Sequence, residues 1–304
     1  MEISDITLGT VQLGLEYGIA NKTGKPSLEN AFKILDAAMK GGITSFDTSA
    51  EYGSSEEVLG SYFRSHPGKD PFICTKFKLD TLKDHDSSQV EKTIYYFAER
   101  SMKRLGINRI PVYLLHNPND LFRFGSIVPD ALKRLSDEGY IDTAGASIYT
   151  VQEAEKMLEN DIYKAVQLPM NLFDVSFYKK GLLKKMHDKG VDIFVRSVFL
   201  QGLFFLHPDT LPEELVPYRE LLVKLNRFSE ENSIGIKELA FTFVRDTEGI
   251  KSIVAGAETP EQITQTTDLS TAAGIDDEKR KAVMDLFSDV DIKRLMKSII
   301  SVKK

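Results

Sequence analysis

Ile43-Thr-Ser-Phe-Asp47-Thr-Ser-Ala-Glu-Tyr52-Gly-Ser-Ser-Glu56-Glu-Val-Leu-Gly60 opens as a short apolar run of strand character and closes as the start of a helix. The loop between them holds a carboxylate, Asp47, and a phenol, Tyr52, five residues apart. Gly53 supplies a turn, and Ser54 with Glu57 has the spacing of a capping box at the helix start. A buried carboxylate and a tyrosine on one strand-to-helix loop suit proton transfer. A nearby ammonium would strengthen that reading, because its charge lowers a tyrosine pKa.

Outward from this stretch the same rhythm repeats. Before it, Ile6–Gln12 reads as a strand and Leu28–Lys40 as a helix with apolar Ala31, Ile34, Leu35 and Ala38 on one face. After it, helix Ser55–Ser65 leads to strand Pro71–Lys76, and helix Ser87–Leu105 to strand Ile110–His116. Helix Ile127–Glu138 precedes strand Ile141–Ser147, helix Val151–Asn160 precedes strand Ala165–Gln167, and helix Lys179–Lys189 precedes strand Val191–Ser197. A long helical region, Glu213–Thr247, precedes strand Ile250–Ala255; helix Pro260–Leu269 and a last helix from about Asp277 follow. Short β-branched strands separated by helices imply parallel pairing with right-handed crossovers. Eight such units in 304 residues predict an α/β chain folded as a single-domain (β/α)8 TIM barrel spanning residues 1–304. The rival is an open doubly wound sheet, whose G-x-G-x-x-G fingerprint is missing: Gly9-Thr-Val-Gln-Leu-Gly14 has the wrong spacing.

Composition narrows the function. An apolar fraction of 42% and a charged fraction of 28% suit a well-cored globular protein, and a net charge of −6 argues against a nucleic-acid or polybasic membrane surface. A single cysteine, Cys74, precludes an internal disulfide and fits a reducing compartment. With neither a leader pattern nor an apolar run of membrane-spanning length, a cytoplasmic protein without a membrane partner is expected. Gly24-Lys25 is not a phosphate-binding P-loop, since Pro26 follows the lysine and Gly18 lies one residue too far upstream. The histidines His66, His85, His116, His187 and His207 show no H-E-x-x-H spacing, so no metal is expected.

Active sites of such barrels lie at the carboxyl ends of the strands. Polar residues end successive strands here: Asp47, Lys76, His116, Ser147, Gln167 and Arg196-Ser197. Taken singly each has a plain structural role: Asp47 as a helix cap, Tyr52 as packing, Lys76 as a solvated strand end, His116 as a hydrogen-bonded histidine. Taken together they make an acid, a lysine to tune it, a carboxylate to orient the lysine and an imidazole to orient a carbonyl.

That ordered set resembles the aldo-keto reductases, over essentially the whole chain. The resemblance is carried by Gly42-Ile-Thr-Ser-Phe-Asp47-Thr-Ser-Ala-Glu-Tyr52-Gly with Ser55-Glu56 and Leu59-Gly60, then Thr75-Lys76 and Leu114-Leu-His116-Asn-Pro118. Gly145-Ala-Ser147, Val166-Gln167-Leu-Pro-Met-Asn171, Ser197-Val-Phe-Leu-Gln-Gly202 and Val254-Ala-Gly256-Ala-Glu-Thr-Pro-Glu-Gln262 continue it. The resemblance implies a NAD(P)H-dependent carbonyl reductase with Tyr52 as general acid, Lys76 lowering its pKa, Asp47 holding Lys76, and His116 donating to the substrate oxygen. It implies cofactor contacts from Gly9, Thr10 and Asp47, from Ser147 and Gln167 at the carboxamide, from Arg196 at the position that stacks on the nicotinamide, and from Ser197, Phe199, Gln201 and Gly202 around the pyrophosphate. Gly256, Glu258, Thr259 and Gln262 would sit against the adenosine end.

Four positions depart from the family pattern. Ile148 stands where an asparagine often follows the serine, Arg196 where a tyrosine often stacks on the nicotinamide, Glu258 where a basic residue is common, and Thr266 where an asparagine often meets adenine. NADP(H) is the implied cofactor, and the carboxylate of Glu258, which would repel a 2′-phosphate, makes NAD(H) an alternative. Tyr17, Tyr52, His116 and Asn117 are the expected substrate contacts; Asn21, Lys22, Asn119, Phe122 and Arg123 add polarity to the same loops and favour a polar, sugar-like small-molecule carbonyl partner. Two other functions stay open: a nucleotide-binding accessory subunit of the same fold, and a Schiff-base aldolase using Lys76 or Lys78. The sequence leaves the oligomeric state open.

Overall fold

Alternation along the strands decides which side chains meet at the barrel axis, because successive side chains on a strand point to opposite faces. The computed structural model describes residues 2–21, 23–80 and 87–302, so Lys22 and His85 lie outside the described residues. Eight parallel strands close on themselves in chain order: β1 (Ile6–Gly9), β2 (Ser45–Asp47), β3 (Phe72–Phe77), β4 (Ile110–Leu115), β5 (Ile141–Ser147), β6 (Tyr163–Pro169), β7 (Asp192–Arg196) and β8 (Ile250–Gly256). β1 pairs with both β2 and β8, which closes the expected (β/α)8 barrel. The outward-facing residues Phe46, Ile73, Ala146, Val166, Ile193 and Ile253 belong to the large apolar shell shared with the helices. The opposite parity fills the barrel: Cys74, Val112, Leu114, Ala165 and Phe194 form a separate inner cluster. Beneath it, hydroxyls close the floor, with Thr7 Oγ1 at 2.8 Å from Ser45 Oγ and 2.7 Å from Ser252 Oγ. Above it, the same inward parity delivers Asp47, Lys76, Ser147, Gln167, Arg196 and Gly256 to the carboxyl rim.

The outer layer comprises α1 (Leu28–Lys40), α2 (Ser55–Ser65), α3 (Ser87–Leu105), α4 (Ile127–Asp137), α5 (Val151–Met157), α6 (Leu182–Asp188), α7 (Arg219–Glu231), α8 (Ile236–Arg245), α9 (Pro260–Asp268), α10 (Asp277–Leu286) and α11 (Ile292–Ser301). α1 shows why: Ser27 caps it by accepting from the Asn30 N–H, and Ala31, Ile34, Leu35 and Ala38 bury one stripe against the barrel. Each fully buried Leu or Ile there contributes about 1.5–3 kcal/mol. Among the described residues no helix is long and apolar enough to cross a membrane.

Several boundaries differ from expectation. β1 stops at Gly9, because the Thr10 N–H donates to the Asp47 carbonyl at 2.9 Å and Val11–Gly14 then coil into one helical turn. The expected Glu213–Thr247 helix is interrupted between α7 and α8, where Ser233 takes a left-handed φ of 50°. The last helix divides into α10 and α11, and the one expected from Lys179 starts at Leu182 behind a left-handed Gly181. The capping box expected at Ser54 and Glu57 does not form. Ser54 has φ −93° and ψ 14° rather than an extended cap geometry, its hydroxyl accepts from Lys25 Nζ at 2.7 Å, and Glu57 pairs with Arg104 Nε at 2.9 Å. A complete capping box closes α5 instead, between Thr150 and Glu153.

One close approach sets the position of the Asp47–Tyr52 loop. A Cβ on Gly14 would fall 1.7 Å from the Tyr52 carbonyl oxygen and 2.6 Å from the Ser55 nitrogen. Only glycine lets the turn after β1 lie against this loop. Gly14→Ala is therefore expected to cost about 1–3 kcal/mol in urea unfolding, as overpacked sites do. An unchanged unfolding midpoint would show that the loop yields freely.

Candidate active site

The Asp47–Tyr52 loop is bonded on both sides. Thr10 Oγ1 donates to the Asp47 carbonyl at 2.8 Å and lies 2.7 Å from Ser55 Oγ, which in turn accepts from Thr48 Oγ1 at 2.9 Å. The Thr48 N–H donates to the Cys74 carbonyl at 2.8 Å and the Ala50 N–H to the Lys76 carbonyl at 3.2 Å. Backbone pairing thus carries the loop across β3 and sets Tyr52 over Lys76.

At the centre lies a buried ion pair. Lys76 is fully buried, and its Nζ donates to Asp47 Oδ1 at 2.5 Å and to the Thr48 carbonyl at 2.9 Å. Gln167 Nε2 donates to the same Asp47 oxygen at 2.7 Å. Burial pulls the ammonium's pKa down, but the Asp47 charge, joined by Tyr52, Cys74 and the hydrogen bond to Asp47, outweighs it and holds Lys76 above its ordinary value. Lys76 Nζ lies 4.9 Å from the centre of the Tyr52 ring. Burial pushes the Tyr52 phenol up to about 12; the charges of Lys76 and Arg196 pull the other way without cancelling it. The lowering effect expected of Lys76 is present, yet the net shift is upward. At neutral pH the phenol keeps its proton, as an acid must.

His116 follows β4 and meets the Tyr52 ring edge-on, with centroids 5.8 Å apart. Its Nδ1 is 3.1 Å from Ser49 Oγ, which accepts from the Glu51 N–H at 3.1 Å. A neutral ring that accepts from the Ser49 hydroxyl at Nδ1 carries its own proton on Nε2. Burial first, then the Lys76 charge, pushes His116 down to about 2. The folded protein therefore keeps His116 neutral while the unfolded chain protonates it below about pH 6.5. Stability is accordingly lost as pH falls from 6.5 toward 2, at up to about 1.4 kcal/mol per pH unit through this group. In urea titrations at pH 7 and pH 5, His116→Asn should lose less stability than the parent; equal losses would count against a neutral buried imidazole.

A cleft of about 510 Å³ opens over these groups. It is lined at one end by Asp47, Tyr52, His116, Ser147 and Gln167, and at the other by Glu258, Gln262 and Gln265. Gly9, Tyr17, Arg196, Ser197, Phe199, Gln201, Gly202 and Gly256 line it between. Thr10 and Lys76 lie beneath the cleft, not on its wall, where they hold Asp47. Thr259 caps α9 through the Gln262 N–H. Asn117 lies off the cleft and donates to Asp80, while Asn21 folds its own loop by accepting from the Gly24 N–H at 2.9 Å. Asn119, Phe122 and Arg123 do not line the cleft either.

Arg196 spans the middle. Its guanidinium donates to the Ile148 carbonyl at 3.1 Å and stacks 4.2 Å from the centre of the Tyr149 ring. After β7 the chain is held in unusual conformations, with positive φ at Ser197 (62°), Leu200 (48°), Gln201 (57°) and Gly202 (94°). The three non-glycine residues cost about 1–3 kcal/mol each in this conformation, and such strain concentrates where ligands are clamped. The Gln201 carbonyl accepts from the Ile19 N–H at 3.2 Å, so the loop after β1 reaches over the cleft to meet this one. A buried Gln12 oxygen facing the cleft has no partner among the described residues. An extended polar cleft with an orphaned acceptor and a clamped loop fits a dinucleotide.

Sequence reasoning passed over Ser49, Tyr149, Gln12, Gln265 and Lys237, which meet the site only through the fold. Tyr149 alone left a signal, being two residues beyond Ser147 and so of the same strand parity. Among the described residues no group of three or more His, Cys, Asp or Glu side chains is placed to hold a metal.

The family model for the aldo/keto reductase family matches residues 5–286. A D-threo-aldose 1-dehydrogenase from Pseudomonas sp. is 25% identical over 298 residues, covering 83% of this chain and 87% of that protein. An L-glyceraldehyde 3-phosphate reductase from Escherichia coli O157:H7 is 23% identical over 294 residues, covering 86% and 83%. Matches to further aldo-keto reductases span about 60% of those proteins' length. Among solved structures, an aldo-keto reductase from Bacillus halodurans in its holo form superposes with a TM-score of 0.76 at 19% identity, covering 96% of this chain and 95% of that one, a likeness of fold.

Proposed function

The chain belongs to the aldo/keto reductase family, a family of NAD(P)-dependent oxidoreductases, and from that premise we propose that it reduces a polar, sugar-like aldehyde or ketone to the alcohol, with Tyr52 as the proton donor. The observation that carries this reading is the buried Lys76–Asp47 pair directly beneath a protonated Tyr52, at the floor of a cleft that fits a dinucleotide.

In this reading Ser147 and Gln167 hold the carboxamide end of NADP(H) or NAD(H), the Ser197–Gly202 loop the pyrophosphate, and Gly256, Glu258 and Gln262 the adenosine end. When bound, the nicotinamide would be the source of the hydride for the carbonyl carbon. The Tyr52 hydroxyl gives its proton to the carbonyl oxygen, and the phenolate left behind is stabilised by the Lys76 ammonium. Asp47 keeps that ammonium charged and aimed, and Gln167 and Thr10 keep Asp47 in place. Neutral His116, its Nδ1 engaged by Ser49, offers Nε2–H to the same oxygen. The alcohol product would be oxidised by the same groups in reverse, with Tyr52 as base.

Charge also weighs against a Schiff-base mechanism. Lys76 is held as an ammonium by Asp47, and Lys78 Nζ lies within 3.8 Å of Glu51 and 3.7 Å of Asp80, whereas an imine-forming lysine must be neutral. A polar substrate is supported by Tyr17, Arg196 and Tyr149 at the cleft and by the sugar-related names of two relatives. A single buried cysteine, Cys74, is in keeping with a cytoplasmic setting.

The test is calorimetric titration with NADPH and NADH, since the chain has no tryptophan to quench, followed by turnover of hydroxylated aldehydes against large apolar ketones. Micromolar or tighter binding of either nucleotide with preference for hydroxylated substrates supports the reading. Binding of neither nucleotide sinks it, and preference for apolar ketones sinks its substrate class.

A further inference from the structure

The adenosine end of the cleft holds two opposite charges that are not paired. Glu258 lies two residues beyond β8 and Lys237 is the second residue of α8. Both line the cleft, and no ion pair joins them among the described residues. Among the described residues Lys237 Nζ donates to a neutral group, Gln265 Oε1 on α9, at 3.2 Å. Its half-burial lowers its pKa, opposed only in part by the more distant Asp268 charge. Burial likewise raises Glu258, whose backbone N–H donates to Gln262 Oε1 at 2.7 Å. A half-buried ammonium bonded to an amide has lost hydration without gaining an anion, which is the state of a group awaiting an anionic ligand. The other cation on the cleft wall, Arg196, is occupied with Ile148 and Tyr149.

We infer that Lys237, reaching in from α8 beside Gln265, is the residue that reads the 2′-phosphate of NADP(H), and that Glu258 opposes it by accepting from the 2′-hydroxyl of NAD(H). The inference rests on the reading of the cleft as a nicotinamide dinucleotide site. It explains how a chain with a carboxylate at position 258 keeps a place for a phosphate: the cation has moved to another helix. Both nucleotides are then accommodated, and their ratio is set by two residues on different elements.

The experiment is calorimetric titration of NADP+ and NAD+ into the full chain and into Lys237→Gln, Lys237→Arg and Glu258→Gln. Lys237→Gln should weaken NADP+ by roughly 10–100-fold, the scale of one charge-assisted hydrogen bond, and leave NAD+ within about threefold. Lys237→Arg should retain most NADP+ affinity, and Glu258→Gln should tighten NADP+ relative to NAD+. The NADP+ advantage lost in Lys237→Gln should also shrink with added salt in the parent. If Lys237→Gln weakens both nucleotides equally, or leaves NADP+ unchanged, the inference is overturned while the reductase reading stands. If the parent binds neither nucleotide, both are overturned.

Discussion

Tyr52→Phe is expected to lower turnover by about 10²–10⁴-fold, the contribution typical of a positioned general acid, while nucleotide affinity stays within a few-fold of the parent. The ring that meets His116 edge-on remains in phenylalanine, so the loop keeps its packing and only the proton is removed. Because burial holds the phenol at about 12, reduction by the parent should not lose its acid through ionisation of Tyr52 until far above neutral pH. Single-turnover rates with a hydroxylated aldehyde and titrations of NADPH, run side by side, measure both effects. A collapse of nucleotide binding together with turnover would make Tyr52 a structural residue and return the proton to another group.

Lys76→Met should be the most destabilising change at the site. Removing one partner of a fully buried pair leaves an uncompensated charge on Asp47, a loss of about 3–5 kcal/mol. In a chain of this size that is a fall of roughly 5–8 °C in thermal midpoint. Pairing it with Asp47→Asn should recover much of the stability, because the orphaned charge is gone. Turnover should not recover, because the ammonium that stabilises the Tyr52 phenolate is still missing. A double variant that regained activity would show that the pair is scaffolding alone.

The barrel was legible because its signal is repetitive. Eight short β-branched runs alternating with amphipathic helices leave few other ways to bury both faces of the strands. Strand-end polarity made Asp47, Lys76, His116, Ser147, Gln167 and Arg196 legible as neighbours, since each ends a strand that a barrel must bring to one rim. Loop residues were less readable. Asn117 and Asn21 carry the right chemistry but spend it on Asp80 and on their own turn, a choice made by loop conformation that local composition does not reveal. Ser54 and Glu57 have capping spacing, yet Lys25 and Arg104, distant in the chain, take both side chains.

The amino-acid sequence by itself determined the parallel barrel, the parity that turns the polar strand ends inward, and the meeting of a phenol, an ammonium, a carboxylate and an imidazole, because these follow from periodicity and from which strand each residue ends. Only the tertiary structure decided how those groups are charged and what surrounds them. Burial outweighs Lys76 and leaves Tyr52 protonated, Ser49 bonds a neutral His116, and α8 carries Lys237 to the cleft that Glu258 also lines. Desolvation and contacts between distant segments exist only once the chain has closed on itself, and no local pattern encodes them.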